Sequence, residues 1–172
     1  MKFKRIMKKI TFILLLFYIG SIIGYIYEII YCLVKRDHFV NRGALYGPWL
    51  PIYGIGMCFL TLFKPIKKNY ILVFLLTMIS MGGLEYLIGL LFLKVFNKRY
   101  WDYRDNFLNL DGLICFESVL AFTIGGILFI YVLYPLYEKL YKKMDQTVVN
   151  IIDYSLGVLM ITDIVVTAVI KY

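Results

Sequence analysis

Apolar residues fall into five long runs separated by basic or turn-forming residues. The runs are Ile10–Val34, about Leu45–Phe63, Tyr70–Phe96, about Leu113–Tyr137 and about Val148–Ile170. None alternates with the period of two that barrel strands need, so each reads as a helix. The pattern predicts an all-α, polytopic integral membrane helix bundle with about five transmembrane helices.

The first run follows Lys2, Lys4, Arg5, Lys8 and Lys9, as a signal peptide would. At 25 residues it is too long for a signal-peptide core, and no small-x-small cleavage site follows. Tyr31 before Cys32 also spoils a lipoprotein cleavage box. An uncleaved first span is expected. The second run is interrupted by Gly47, Pro48, Pro51, Gly54 and Gly56. Only about 20 Å of helix fits between Pro51 and Lys64 at 1.5 Å per residue, against a hydrocarbon layer of about 30 Å. Residues Tyr46–Gly56 are therefore expected to enter the membrane as irregular backbone, which is tolerated where it is buried in protein or lines a wet cavity.

The basic residues suggest an orientation. Those before the first run, with Lys64, Lys67, Lys68, Lys139, Lys142 and Lys143, fall on one side in short loops nearly free of acid. The other side has fewer and also holds Asp37, Asp102, Asp105 and Asp111. The bias predicts a multi-pass cell-membrane protein with a cytoplasmic N-terminus and an outer C-terminus.

Composition sharpens this reading. The 172 residues are 62% hydrophobic and 17% charged, unlike a soluble domain or a disordered chain. The net charge of +8 sits at the ends of apolar runs, so it reads as membrane topology and not as a nucleic-acid footprint. Cys32, Cys58 and Cys115 form no CxxC pair and read as small apolar packers. His38 is the single histidine, so no metal site, cofactor or Ser-His-Asp triad is expected. No phosphate-binding loop occurs, so ATP hydrolysis by that route would need another chain.

Two stretches share an order of features. Gly24 and Glu28 precede Phe39-Val40-Asn41-Arg42-Gly43, and Gly82 and Glu85 precede Phe107-Leu108-Asn109-Leu110-Asp111-Gly112. The chain reads as one transmembrane domain, residues 1–172, with possible parallel repeat halves at 10–63 and 70–137 and a fifth helix at 148–170. Transporters are built from such repeats.

Glu28, Glu85, Glu117, Asp153 and Asp163 fall within apolar runs or at their margins. An ionised carboxylate at the bilayer centre costs about 2.5–3.5 kcal/mol on insertion scales. Small residues accompany these acids at helical spacing: Gly20 and Gly24 with Glu28, Gly82 and Gly89 with Glu85, Ala121 and Gly125 with Glu117, Gly157 with Asp153. Such faces let another helix approach, so these carboxylates are expected to point into the bundle, with Asp153 alternatively snorkelling at a span end. A structural role and a proton, cation or substrate path both fit. Glu28 and Glu85 are the preferred pair. Asn41, Arg42, Trp101, Asp102 and Asn109 in the outer loops, together with Glu117, complete the candidate pathway, and none is read as a catalytic residue.

Asn41-Arg42-Gly43, Gly47-Pro48 and Pro51-Ile52-Tyr53-Gly54 resemble the first signature of the ABC-transporter type IV (CmpB-like) membrane permease family. Trp101-Asp102-Tyr103, Phe107, Asn109, Gly112 and Ile114-Cys115 resemble its second. The likeness runs from about Tyr18 to Gly125. Leu113 stands where the family tends to carry arginine, and the step from Asn109 to Gly112 is one residue longer. The resemblance implies a permease subunit, with a separate ATPase subunit or a second copy as partner besides the lipid bilayer and no nucleic acid. Two other readings stay open. One is a membrane-embedded enzyme acting on lipid or cell-wall precursors, with Glu28, Glu85 and Asp102 as acid/base groups and Arg42 as an anion clamp. The other is a non-catalytic scaffold or sensor.

Overall fold

The uninterrupted first run has no proline, and a single helix forms from it. The computed structural model describes residues 2–36 and 43–171, and α1 occupies Lys2–Arg36. Its 35 residues extend about 52 Å, well beyond a hydrocarbon layer of about 30 Å. The surplus carries Lys4, Arg5, Lys8 and Lys9, all exposed.

The second run becomes a helix later than its apolar character suggests. Residues 43–50 are irregular, and α2 begins at Pro51 and runs to Leu60. Proline suits the first helical position, where the N–H it lacks would have no intrahelical partner. The irregular stretch thus ends at Leu50 and not at Gly56. Gly54 and Gly56 lie inside the helix and are buried. A 3-10 helix, Thr61–Ile66, continues α2. Together the two reach about 27 Å, and this segment is shorter than the four long apolar helices.

The third run coincides with α3, Tyr70–Phe96. Asn69 caps its start by accepting from the Leu72 N–H at 3.1 Å. Asn97 ends it in the left-handed conformation at φ 50°. The fourth run starts late, with α4 spanning Phe116–Leu128. The preceding residues fold back instead, through a bridge between Leu110 and Ile114 and positive φ at Asp111 and Gly112. Cys115 caps α4: its Sγ accepts from the Ser118 N–H while Ser118 Oγ accepts from the Cys115 N–H. A π-helical turn, Phe129–Leu133, joins α4 to α5, Tyr134–Tyr141, within one continuous helix. The fifth run becomes α6, Gln146–Lys171, and Asp145 accepts from the Thr147 and Val148 N–H groups at its start. Those bonds hold the Asp145 carboxyl below its ordinary range.

The chain forms two compact units. The first is Met1–Cys58 with Tyr137–Tyr172, and the second is Phe59–Leu136. In the first, α6 packs along α1. Leu15, Tyr141 and Val149 form one buried cluster there, and Tyr18, Leu45, Trp49 and Met160 form another. In the second, α3 packs on α4. Gly82 faces Val119, and Gly126 faces Thr77 and Leu60. Less than two fifths of each long apolar window is buried inside the chain, leaving side chains such as Ile71 and Val169 exposed. Apolar surface on this scale suits hydrocarbon and not water.

Candidate functional site

Each unit seats a glutamate of a long helix against a tyrosine from the segment that follows that helix. In the first unit, Glu28 Oε1 accepts a 2.6 Å hydrogen bond from the Tyr53 hydroxyl. Tyr53 reaches it because its ring lies directly over Gly24, one turn before Glu28. A Cβ on Gly24 would coincide with that ring. The same closeness extends along the crossing. A Cβ on Gly54 would meet the Phe17 carbonyl and Ser21 Oγ, and one on Gly20 would stand 3.1 Å from the Gly54 Cα. The Gly20–Gly24–Glu28 face thus admits α2 at backbone contact, as its spacing suggests.

The irregular segment before α2 is held by α6. Asp163 accepts from the Tyr46 N–H at 3.0 Å, the Gly47 N–H at 2.8 Å and the Trp49 indole N–H at 2.6 Å. The Thr167 hydroxyl adds a fourth bond, at 3.2 Å. One turn beyond, Lys171 Nζ donates to the Ala44 carbonyl at 2.9 Å and stands 4.8 Å over the Tyr46 ring. At the other end of the loop, the Leu50 N–H donates to the Ser21 carbonyl. An acid inside an apolar helix is thereby matched with three N–H donors from a segment that has no secondary structure to satisfy them.

In the second unit, Glu85 is 3% exposed and its Oε1 accepts from the Tyr103 hydroxyl at 3.1 Å. Gly89, one turn further along α3, leaves room for Trp101, whose ring lies 3.1 Å from the place of a Cβ. The Trp101 indole N–H donates to the Leu113 carbonyl at 2.7 Å. The loop between α3 and α4 is tied internally. Asn109 Nδ2 donates to the carbonyls of Arg104 and Asn106, and its Oδ1 accepts from the Gly112 N–H. Gly112 has a φ of +67°, and a Cβ there would meet Arg104 Cγ at 2.5 Å. Tyr86 donates to Asp111 at 2.6 Å, and Arg99 donates to the Asp111 carbonyl. Arg104 clasps Asp102 through Nε and Nη2, with Nη2 2.5 Å from Oδ2. That clasp holds the Asp102 carboxyl below its ordinary range and raises the Arg104 guanidinium above its own.

The sequence-derived candidates therefore separate. Glu28 and Glu85 each acquire a phenol partner. Trp101, Asp102 and Asn109 lie in one loop, where Asn109 folds the backbone and Asp102 is paired at the surface. Glu117 lies with Ala121 and Gly125 on an exposed face of α4, so the expectation that this face turns inward within the chain fails. The buried face is Ser118, Thr123 and Gly126, which packs toward α3. Asp153 is buried, so it is no snorkelling span-end residue. Asn41 and Arg42 lie outside the described residues. Asp163 among the acids, and Tyr53 and Tyr103 among the aromatics, carry more of the site than their sequence positions suggested. The available signal was one tyrosine in each of two glycine- and aromatic-rich motifs.

A sequence model of the family described as "Putative ABC-transporter type IV" matches residues 15–168. The match extends beyond both loop signatures to most of α6. No curated protein and no solved structure matches the chain. With four helices long and apolar enough to cross a membrane among the described residues, and a family match over most of its length, the chain belongs to the Putative ABC-transporter type IV family of membrane proteins.

Proposed function

We propose that the chain is the membrane-spanning subunit of a transporter, in which Glu28 in the first unit and Glu85 in the second each serve as a polar group for the transported species. The observation that carries the reading is that, in each unit, a glutamate of a long helix accepts from a tyrosine hydroxyl of the segment that follows that helix. A carboxylate within a span is costly unless a donor stabilises it. A tyrosine hydroxyl supplies that donor, and a passing ammonium, hydroxyl or amide N–H can replace it with small net change, because one hydrogen bond is exchanged for another. Tyr53 and Tyr103 then act as placeholders that hold the carboxylates when no such species is bound. Trp101, Asp102 and Asn109 belong to the outer loop of the second unit, the N-terminus is cytoplasmic, and a separate ATPase subunit or a second copy completes the machine. Glu117 has no part in this role.

The test uses the full-length chain, tagged and purified from its native membrane. An ATP-hydrolysing subunit is expected to co-purify. Glu28→Gln and Glu85→Gln should each keep that assembly but lower ATP-driven transport about tenfold or more, the kinetic equivalent of weakening a hydrogen bond to a charged group. Loss of assembly in both variants would instead support a scaffold, and unchanged transport would remove that role. A reporter fused after Tyr172 should read outside the cell.

A further inference from the structure

Asp153 belongs to neither glutamate–phenol pair. It is 6% exposed, and neither carboxyl oxygen has a hydrogen-bond partner among the described residues. With α6 centred on a hydrocarbon layer about 30 Å thick, it stands about 7 Å inside the edge. Among the described residues of the first unit, the groups facing it offer no compensating charge. From α1 comes Tyr18, whose hydroxyl passes 3.1 Å from the place of a Cβ on Gly157. From α5, Tyr137 and Tyr141 pack with Val149 and Ile152 of α6 and donate to the Phe12 and Lys8 carbonyls. The 43–50 loop holds Tyr46 alone among titratable groups. No charged side chain occurs in α1 between Lys9 and Glu28, or in α6 before Asp163 other than Asp153 itself. A bare carboxylate in such surroundings is far costlier than its neutral form.

A polar route leads to this carboxyl. Gln146, Asn150, Asp153 and Gly157 recur at i, i+4, i+7 and i+11, one stripe along α6. At its start, Gln146 Nε2 donates to Asn150 Oδ1 at 3.1 Å and to Thr11 Oγ1 at 3.0 Å. Thr11 Oγ1 and the Tyr141 hydroxyl share a 2.8 Å hydrogen bond. These groups connect the end of the helix beside exposed Asp145 to a point one turn short of Asp153.

We propose that Asp153 is a proton-binding site of the first unit, loaded from the Asp145 end along Thr11, Gln146 and Asn150. The step is proton transfer alone: an O–H bond forms on the carboxyl as one breaks on water or hydronium at the membrane surface. It does not rest on the transporter reading, since it uses neither Glu28 nor Glu85.

Infrared spectroscopy of the full chain in phosphatidylcholine vesicles tests it. At pH 7 an aspartate in water, titrating near about 3.9, is ionised, whereas Asp153 should show the C=O stretch of a protonated carboxyl. Asp153→Asn should lose that band, and Asp153→Glu should keep it at a displaced frequency. The band should be indifferent to sodium chloride at constant pH. Identical spectra for the native chain and Asp153→Asn would overturn the proposal, and so would a band abolished by sodium, which would make the ligand a metal cation. Gln146→Leu and Asn150→Leu should slow the band's shift in deuterium oxide and leave its intensity intact. Unaltered exchange in both overturns the route.

Discussion

Replacing Asp163 tests whether this carboxylate is what seats the loop before α2. It gathers four donors, and they are unequal. The Tyr46 N–H is at an exposed residue and can turn to water, so its loss costs little. The Gly47 N–H, at a half-buried residue, and the indole N–H of Trp49, a residue 7% exposed, are less free to do so. Asp163→Asn keeps one oxygen, which stays with Gly47 and Trp49 while the new amide group turns toward Tyr46. Those two bonds fall from about 1.5–3 kcal/mol each, with a charged acceptor, to about 0.5–1.5 with a neutral one. The loss is about 2 kcal/mol. Asp163→Leu removes both acceptors and orphans both donors, at about 1–3 kcal/mol each, so about 2–6 kcal/mol. The apolar gain from deleting a charge in a span is not counted, because it also stabilises the membrane-inserted state in which the loop is loose. Amide exchange of the 43–50 segment in micelles reads the difference directly. Asp163→Asn should accelerate exchange at Gly47 about 30-fold, and Asp163→Leu should accelerate it further. Unchanged exchange in Asp163→Leu, or faster exchange in Asp163→Asn than in Asp163→Leu, would refute the reasoning.

Other outcomes follow from single contacts. Tyr53→Phe keeps the ring over Gly24 and deletes the bond to Glu28, so it should cost about 1.5–3 kcal/mol in thermal unfolding, whereas Gly24→Val, which drives a side chain into that ring, should prevent α2 from docking. Gly126→Ala places a methyl 2.5 Å from Thr77 Cγ2 and should destabilise by about 1–3 kcal/mol, and Thr77→Ser, which removes that methyl, should restore most of it; additive losses in the double variant would contradict the contact. The Asp102 carboxyl lies below its ordinary value, so the clasp is fully present above about pH 4 and is lost as pH falls through the lowered folded value. In Arg104→Ala, carbon-detected titration should find Asp102 moved up toward about 3.9, and an unmoved midpoint would show that Arg104 is not the cause.

How much of this was legible in the sequence depends on the range of the forces involved. The run Tyr70–Phe96 became a helix with the same two ends because asparagine caps both, and capping is decided within four residues. The glycine faces beside Glu28 and Glu85 were legible for a similar reason: helical spacing fixes which residues share a face before anything packs on it. Periodicity does not say which face is covered, and at Glu117 the covered face was that of Ser118 and Thr123. Glycine and proline already marked residues 46–50 as irregular, but not what holds them: a carboxylate over a hundred residues later satisfies their N–H groups. The apolar runs, the two ends of α3 and the membrane class were therefore settled by the sequence alone, since hydropathy and capping act locally. The pairing of Tyr53 with Glu28, of Tyr103 with Glu85 and of Asp163 with the loop was settled only by tertiary structure, because a hydrogen bond forms between whichever groups packing brings within about 3 Å, and packing depends on the whole chain.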